Sequence, residues 1–282
     1  MNALRCLFLA AAAAVLVSTA GFGPALAQTD KSYTPHVGQG GKDVIWVPTP
    51  DEIVERMLRM AQTTATDSVI DLGAGDGKIA IAAAKIFGAK SLGIEYDVDM
   101  AKHAQQNVEK AGVADRARIV QGDIFATDFS SATVLTMYLL PALNLKLRPT
   151  ILAMKPGTRV ISHSFTMDDW DADEISSSDG RRAYLWIVPA NVQGAWKLAV
   201  SSGETYEVTL EQRYQKVTGH VMLGSMQAGL RQVELAGTAI KFAFIDNTGI
   251  RRDFSGRIDG PAMEGSMRAD NRKVAQWSAA RR

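Results

Sequence analysis

The hydrophobic pattern divides the chain into a mixed first part and a β-rich second part. Over residues 48–190, short apolar runs typical of buried strands alternate with stretches whose apolar residues recur at helical spacing. From residue 191 onward, short segments of alternating polar and apolar residues are separated by glycines. The pattern predicts an open, mostly parallel α/β sheet, followed by a small antiparallel all-β domain over residues 191–282.

The clearest unit is a strand, a glycine-rich turn and a helix within residues 68–84. Val69 and Ile70 are β-branched residues that suit a buried strand, and the apolar residues after the turn share one helix face. Between them stands Asp-x-Gly-x-Gly-x-Gly, which begins at Asp71. A turn without side chains lets a ligand approach the backbone, and the N–H groups at the helix start can hold polar ligand atoms.

The spacing of these glycines argues against a dinucleotide ligand. The fingerprint Gly-x-Gly-x-x-Gly would place its third glycine at position 78, which is Lys78. The carboxylate of Asp71 would repel a pyrophosphate and attract an ammonium group. S-Adenosylmethionine carries both an ammonium and a sulfonium group, so the turn favours it as the ligand. Glu95, at the end of the second predicted strand, is placed to accept hydrogen bonds from ribose hydroxyls, and Tyr96 to pack on the ribose or adenine.

The glycine turn resembles motif I of the class I S-adenosylmethionine-dependent methyltransferases. The run from Val47 to Trp170 resembles the bacterial relatives of the ATP synthase c-subunit lysine methyltransferase family. The shared features are a Val-Pro segment, Asp-Leu-Gly-x-Gly-Asp-Gly, Gly-x-Glu, a hydrophobic motif after strand four, Leu-x-x-Lys-Leu and Phe-x-x-x-x-Trp. The resemblance implies a Rossmann-like fold and a methyltransferase with S-adenosyl-L-methionine as cofactor. It also implies that Asp123 accepts the adenine amino group and that Ile124 packs on the ring.

The predicted cofactor-binding residues are Asp71, Gly73, Ala74, Gly75, Gly77, Glu95, Tyr96, Asp123, Ile124 and Thr49. Thr49 is included because, in the family, a helix with a Pro-Thr-Pro lead-in often covers the cofactor cleft. The local pattern also predicts Thr49 as the N-cap of that helix, with Glu52 completing a capping box.

Two residues are candidates for the catalytic end of the site. Tyr138 follows the fourth predicted strand, where the donor methyl group meets the acceptor. His163 ends the fifth strand and is a candidate general base, with a hydrogen-bonded scaffold role as the alternative. Tyr138-Leu-Leu-Pro141 departs from the Asp/Asn-Pro-Pro-aromatic signature that binds planar amines, which argues against nucleobase or glutamine methylation. A protein lysine, a hydroxyl or a small-molecule acceptor stays open. The acidic segment 166–182 is predicted as a solvated loop, with a rim for a cationic substrate as the alternative.

Composition excludes several other kinds of site. The one cysteine is Cys6, and the four histidines are scattered, so no metal site is predicted. Basic and acidic residues number 31 and 30, which provides no field to attract nucleic acid. Residues 190–282 carry a net positive charge and residues 28–189 a net negative one, which would suit docking between the two parts.

The first 27 residues are predicted to be a signal peptide. Arg5 precedes an apolar run, and Pro24-Ala-Leu-Ala27 has the small residues that a signal peptidase recognises, so Gln28 would begin an exported, periplasmic chain. An uncleaved inner-membrane anchor is the alternative, and would be the chain's only membrane contact. Residues 28–47 are predicted to be an irregular N-terminal arm. Export also raises a rival function, a non-catalytic exported protein that binds a nucleoside or S-adenosylmethionine. The sequence carries no signal for an oligomeric state.

Overall fold

Successive parts of the chain form two β-sheets. The computed structural model describes residues 33–270 and 273–282. The first part contains α1 (Asp51–Met60), β1 (Ser68–Leu72), α2 (Lys78–Phe87), β2 (Lys90–Glu95), α3 (Val98–Lys110), β3 (Ala117–Gln121), β4 (Val134–Met137), α4 (Pro141–Leu152), β5 (Arg159–His163), β6 (Glu174–Ser178) and β7 (Arg181–Ile187). The second part contains β8 (Gly194–Val200), β9 (Thr205–Arg213), β10 (Lys216–Leu223), β11 (Met226–Gly229), β12 (Arg231–Ala236), β13 (Ala239–Ile245), β14 (Arg251–Asp259), β15 (Ala262–Ala269) and β16 (Lys273–Arg281).

The first sheet has the strand order β3-β2-β1-β4-β5-β7-β6. The first five strands of this order, from β3 through β1 to β5, are parallel to one another. Strand β7 pairs antiparallel with β5, and β6 pairs antiparallel with β7 at the sheet edge. The chain runs outward from β1 to β3 and then returns to β4 on the other side of β1. Ligands of open α/β sheets bind at such a reversal, in the crevice beyond the strands' carboxyl ends. The predicted Rossmann-like sheet is confirmed, and its topology places the crevice at β1 and β4.

The helices bury the apolar faces that the sequence pattern predicts. The buried residues of α1 and α2 are Ile53, Val54, Met57, Leu58, Ile79, Ala80, Ala83 and Ala84. Helix α2 ends at Gly88, whose φ of 70° is the left-handed conformation of a glycine C-cap. Helix α3 is capped by the Asp97 side chain, which accepts a hydrogen bond from the Met100 N–H at 2.7 Å.

Two local predictions are wrong. Helix α1 begins at Asp51 without a side-chain cap, and the Thr49 hydroxyl lies instead 3.2 Å from Nδ1 of His163. Segment 166–182, predicted as a loop, contains strand β6. Its polar residues are extended because they pair with β7 at the sheet edge, and composition alone does not reveal such a tertiary contact.

The second sheet is antiparallel, with the order β11-β10-β9-β8-β16-β15-β14-β13-β12. Its core is rich in aromatic residues, among them Trp196, Phe242, Phe244, Phe254 and Trp277, all buried. The predicted all-β second part is thus confirmed.

A polar contact centred on Asp169 joins the two parts. The Asp169 carboxylate accepts hydrogen bonds from Arg148 of α4 at 2.5 Å, from Arg213 of β9 at 2.6 Å and from the Tyr214 hydroxyl at 3.1 Å. The Arg213 hydrogen bond, with those of Arg148 and Tyr214, lowers the pKa of Asp169 to about 2. Beside it, Nε1 of Trp170 donates to the side-chain oxygen of Gln215 at 3.0 Å. Part of the acidic segment 166–182 therefore contacts the second sheet, although its carboxylates stay partly exposed to solvent.

The predicted leader, residues 1–27, lies outside the described residues. No helix within 33–270 and 273–282 combines the length and the apolar character needed to cross a membrane.

Candidate active site

The turn between β1 and α2 requires glycine for both conformation and space. Gly73, Gly75 and Gly77 have φ values of 79°, 54° and 82°, in the left-handed region that other residues seldom adopt. A Cβ atom on Gly75 would lie 2.5 Å from Nε1 of Trp46. The indole of Trp46 therefore fills space beside Gly75 that the sequence predicted for a ligand.

A cavity of about 330 Å³ lies beyond the carboxyl ends of β1, β2 and β4. Most of the predicted cofactor-binding residues line it, namely Asp71, Gly73, Ala74, Gly75, Glu95, Tyr96, Asp123, Ile124 and Thr49. Gly77 does not line the cavity. It packs against Ala104 of α3, which would lie 3.3 Å from a Cβ atom at this position. The structure thus gives Gly77 a role in helix packing instead of the predicted ligand contact.

Asp71 is buried at the end of the cavity formed by β1 and β2. It is 2% exposed, and its Oδ1 accepts a hydrogen bond from the Thr136 hydroxyl at 2.7 Å. Burial, together with the charges of Glu95 and Asp76, raises the pKa of Asp71 to about 7, although the Thr136 hydrogen bond acts in the opposite direction. Among the described residues, none of these three carboxylates has a basic side chain as an ion-pair partner. A ligand with a positive charge would relieve their repulsion, so this end fits a cation.

The turn itself holds Glu95. One carboxylate oxygen accepts from the Gly75 N–H at 2.8 Å and the other from the Asp97 N–H at 3.0 Å. Burial raises the pKa of Glu95, and these two hydrogen bonds oppose the rise. Because both oxygens are anchored, the carboxylate has a fixed position at the cavity wall, as recognition of two adjacent hydroxyls requires.

The N-terminal arm closes the other side of the cavity. The Gly38 N–H donates to the Trp46 carbonyl and the Trp46 N–H donates to the Gln39 carbonyl, both at 2.9 Å, so residues 38–46 form a hairpin, called here the arm hairpin. Near its turn, Nζ of Lys42 lies 2.7 Å from Oδ2 of Asp123 and 4.7 Å from the centre of the Tyr96 ring. The Lys42 hydrogen bond lowers the pKa of Asp123. Two residues predicted to hold adenosine thus already contact this lysine.

The acceptor end of the cavity is apolar. Its lining residues are Val47, Tyr138, Leu140, Leu143 and Phe165. The rings of Tyr138 and Phe165 stack with their centres 5.9 Å apart and an interplanar angle of 21°. Within the part of the chain that the structure describes, the Tyr138 hydroxyl has no hydrogen-bond partner. Of the five described residues that line this end, Tyr138 alone has an ionisable side chain.

His163 lies behind Tyr138 and does not line the cavity. It is 3% exposed, and its ring centre is 4.0 Å from that of Tyr138. Burial, reinforced by the positive charges of Arg181 and Arg56, lowers the pKa of His163 to about 4. A general base must reach the proton that it removes. The geometry therefore does not support His163 as the base and agrees with the scaffold alternative.

Known proteins resemble a large part of this chain, including the strands and turn that carry Asp71, Glu95 and Asp123. The family model for the ANTKMT methyltransferase domain matches residues 71–174. A protein-lysine N-methyltransferase from Saccharolobus islandicus (strain REY15A) is 44% identical over 163 residues, which are 56% of this chain and 97% of the relative. The chain belongs to the S-adenosylmethionine-dependent methyltransferases.

Two further relatives are methyltransferases whose names give different acceptors, one a protein lysine and the other RNA. The methyltransferase is 25% identical over 183 residues to the ATP synthase c-subunit lysine N-methyltransferase of Mus musculus, across 59% of this chain and 73% of the relative. It is 47% identical to an RNA methyltransferase from Salinibacter ruber solved with S-adenosyl-L-homocysteine, with a TM-score of 0.51 over 52% of this chain and 96% of that chain. The predicted cofactor and enzyme class are therefore confirmed, and the rival of a non-catalytic binding protein is not supported.

The cavity residues fit S-adenosylmethionine, because the acidic end offers carboxylates to a cation. When bound, the cofactor supplies a methyl group made electrophilic by its sulfonium. Asp71 would hold the methionine end, Glu95 the ribose and Asp123 the adenine amino group; these individual roles stay predictions. At the other end, Tyr138 and Phe165 would exclude water and orient the acceptor, which are also predictions; orientation can supply much of the rate enhancement of such a transfer.

Replacing Lys42 with methionine is expected to speed both association and dissociation of the cofactor about threefold or more, with less than about a threefold change in Kd. The Lys42 and Asp123 side chains are 35% and 31% exposed, so their ion pair contributes little to stability. The lysine nevertheless holds the arm hairpin over the cavity. Stopped-flow tryptophan fluorescence measures both rates, with Lys90→Met as an exposed control. Unchanged rates would show that the hairpin does not limit exchange.

Proposed function

We propose that the methyltransferase transfers methyl groups to lysine side chains of a protein. The observation that carries the proposal is the similarity to a protein-lysine N-methyltransferase over 97% of that relative. The ATP synthase c-subunit lysine N-methyltransferase of Mus musculus adds a second relative with a lysine acceptor.

The acceptor end of the cavity supports an amine acceptor. Lysine attacks a methyl donor only as the neutral amine, and apolar surroundings favour that form by lowering the ammonium pKa. The side chains of Val47, Leu140 and Leu143 provide such surroundings. The stacked rings of Tyr138 and Phe165 add aromatic faces, which attract methylated ammonium groups.

RNA is the second candidate acceptor, because the Salinibacter ruber relative is an RNA methyltransferase by name. Nucleic-acid binding relies on lysine and arginine side chains that contact phosphates. No basic residue lies among those that line the acceptor end, and the chain's basic and acidic residues are nearly equal in number. These observations favour protein over RNA.

Transfer of a tritiated methyl group tests the proposal directly. The full chain is incubated with labelled S-adenosylmethionine and a cell extract, and the product is divided between protease and ribonuclease digestion. We expect label in protein, released as methyllysine by acid hydrolysis, and little transfer with the Asp71→Asn variant. Label that ribonuclease removes, or label only in small molecules, would contradict a lysine acceptor.

We also propose that residues 1–27 are a cleaved signal peptide, so that Gln28 begins a periplasmic chain. The support is the sequence alone: Arg5, the apolar run and the small residues before position 28. A C-terminal alkaline phosphatase fusion, active only after export, tests the compartment, and N-terminal sequencing distinguishes cleavage from a retained inner-membrane anchor. A cytoplasmic, unprocessed fusion would contradict the proposal.

We propose domain boundaries of 48–190 for the methyltransferase domain and 191–282 for the β domain. The separation of the strands into two sheets between β7 and β8 supports them.

A further inference from the structure

An aromatic stack stands at the ends of β4 and β5, and only part of it faces the cavity. The ring of Tyr138 has Phe165 on one side, at 5.9 Å between centres, and His163 at 4.0 Å with an interplanar angle of 39°. Tyr138 and Phe165 line the cavity, whereas His163 is 3% exposed and lies behind them. The histidine thus supports the ring that faces the acceptor.

Thr49 fixes the position of this histidine. Its hydroxyl is 3.2 Å from Nδ1 of His163, and the threonine itself is 6% exposed. Helix α1, which starts two residues later, has no side-chain cap, although threonine is a residue type that caps helices. The hydroxyl therefore serves a contact with a residue 114 positions away instead of stabilising its own helix.

The backbone after β5 brings His163 and Phe165 to the same ring. Ser164 has a φ of 64°, a left-handed conformation that residues other than glycine rarely adopt. Its N–H donates to the Arg182 carbonyl at 2.8 Å, and the Phe165 N–H donates to the His163 carbonyl at 2.8 Å. Such sparsely populated conformations persist where the surroundings determine them and are concentrated at active sites.

We propose that Thr49 and His163 are positioning residues, which fix the orientation of the Tyr138 ring at the acceptor end without exchanging a proton with the acceptor. The charged groups that act on the imidazole are Arg181 and Arg56, both positive. A protonated ring would place a positive charge in a buried position near these two arginines, so the imidazole stays neutral. The inference requires methyl transfer at this cavity and does not require that the acceptor is lysine.

Paired substitutions separate positioning from proton transfer. His163→Ala is expected to lower kcat about 10- to 100-fold with less than about a twofold change in the KM for S-adenosylmethionine. His163→Phe restores a flat ring behind Tyr138 but loses the Thr49 hydrogen bond, so it should recover part of this loss, to about the level of Thr49→Val. Thr49→Val should lower kcat and Thr49→Ser should recover it. The rates are those of tritiated methyl transfer into extract protein, and circular dichroism melting shows which variants remain folded.

Two pH measurements complete the test. The kcat profiles of wild type and His163→Phe should have the same shape between about pH 6 and about pH 9, since a neutral imidazole does not titrate there. By proton NMR, the histidine resonance that is missing from His163→Phe should stay constant between about pH 5 and about pH 8. This second measurement needs no acceptor, so it holds even if the proposed lysine acceptor is wrong.

Either of two results would overturn the proposal. In the first, His163→Phe is as inactive as His163→Ala, and its kcat profile lacks an acidic limb that the wild-type profile has. That combination would identify His163 as a general base, a role that typically contributes about 100- to 10,000-fold to the rate. The second is a His163 resonance that titrates near the ordinary histidine pKa.

Discussion

Replacing Asp71 with asparagine is expected to weaken S-adenosylmethionine binding about 30-fold or more, because loss of one partner of a buried charge contact costs about 2–5 kcal/mol. The substitution preserves the side-chain shape and an oxygen that can accept the Thr136 hydrogen bond, which is 2.7 Å long in the wild type. It removes only the charge that faces a cationic ligand. Calorimetry on the full chain measures Kd, with the exposed Asp115→Asn as control. An affinity equal to wild type would remove Asp71 from the predicted cofactor site.

The same substitution is expected to stabilise the ligand-free enzyme at neutral pH. Burial raises the pKa of Asp71 from 3.8 to about 7. Between these values the folded protein keeps a proton that the unfolded chain releases. Stability therefore falls as the pH rises from about 4 to about 7, at most by about 1.4 kcal/mol per pH unit, and the loss from this group is complete above about 7.

Thermal melting without cofactor tests whether stability falls with rising pH in this way. Between about pH 5 and about pH 8 the wild-type Tm should fall more than that of Asp71→Asn, and the variant should be the more stable at the higher pH. Parallel curves for the two proteins would show that Asp71 is ionised in the folded state across this range.

Replacing Trp170 with alanine is expected to lower the free energy of unfolding by about 3–5 kcal/mol, the usual cost of truncating a buried tryptophan. Trp170 is 0% exposed and stacks on Tyr214 of the second sheet at 5.7 Å between ring centres. Its carbonyl accepts a hydrogen bond from Nε1 of Trp186 at 2.8 Å. Truncation leaves a cavity where the two sheets meet.

Urea unfolding followed by circular dichroism measures this effect. Trp170→Phe is the matched control, because it keeps an aromatic ring and loses the hydrogen bond to Gln215. We expect it to lower the free energy of unfolding by about 1–3 kcal/mol. A loss below about 1 kcal/mol for the alanine variant would indicate that the contact between the sheets relaxes around the missing ring.

The central parallel strands β1, β4 and β5 were predictable because each is a short run that is buried along nearly its whole length. Strand β3, next to β2 at the edge of the sheet, instead alternates between buried Ala117 and Ile119 and exposed Arg118 and Gln121. Strand β6 was not predictable, since Glu-Ile-Ser-Ser-Ser carries no strand pattern and its extended form depends on pairing with β7. Local pattern determined the central strands, and tertiary pairing determined the edge.

The candidate site was likewise predictable where local pattern places its residues and not where distant contacts do. Asp71, Glu95 and Asp123 were predictable together because they stand at the ends of neighbouring parallel strands, whose carboxyl ends meet at one edge. Lys42 and Trp46 were missed because the arm has no periodicity, and its contacts lie far along the chain, as in the ion pair between Lys42 and Asp123. The sequence feature that could have indicated them is their position: Lys42, a cation, and Trp46, a large aromatic residue, lie in a glycine-rich segment directly before the helix predicted to cover the cleft.

The shared carboxylate of Asp169 has a mechanical consequence. It binds Arg148 of α4 and Arg213 of β9 at once, and α4 also carries Leu143 of the acceptor end. Because the pKa of Asp169 is about 2, this link persists through the physiological pH range. A jaw-like closure of the two sheets on an acceptor would have to break these partly exposed contacts. We therefore expect an acceptor to reach Tyr138 by opening of the arm hairpin, or as a segment slender enough to pass through the existing mouth.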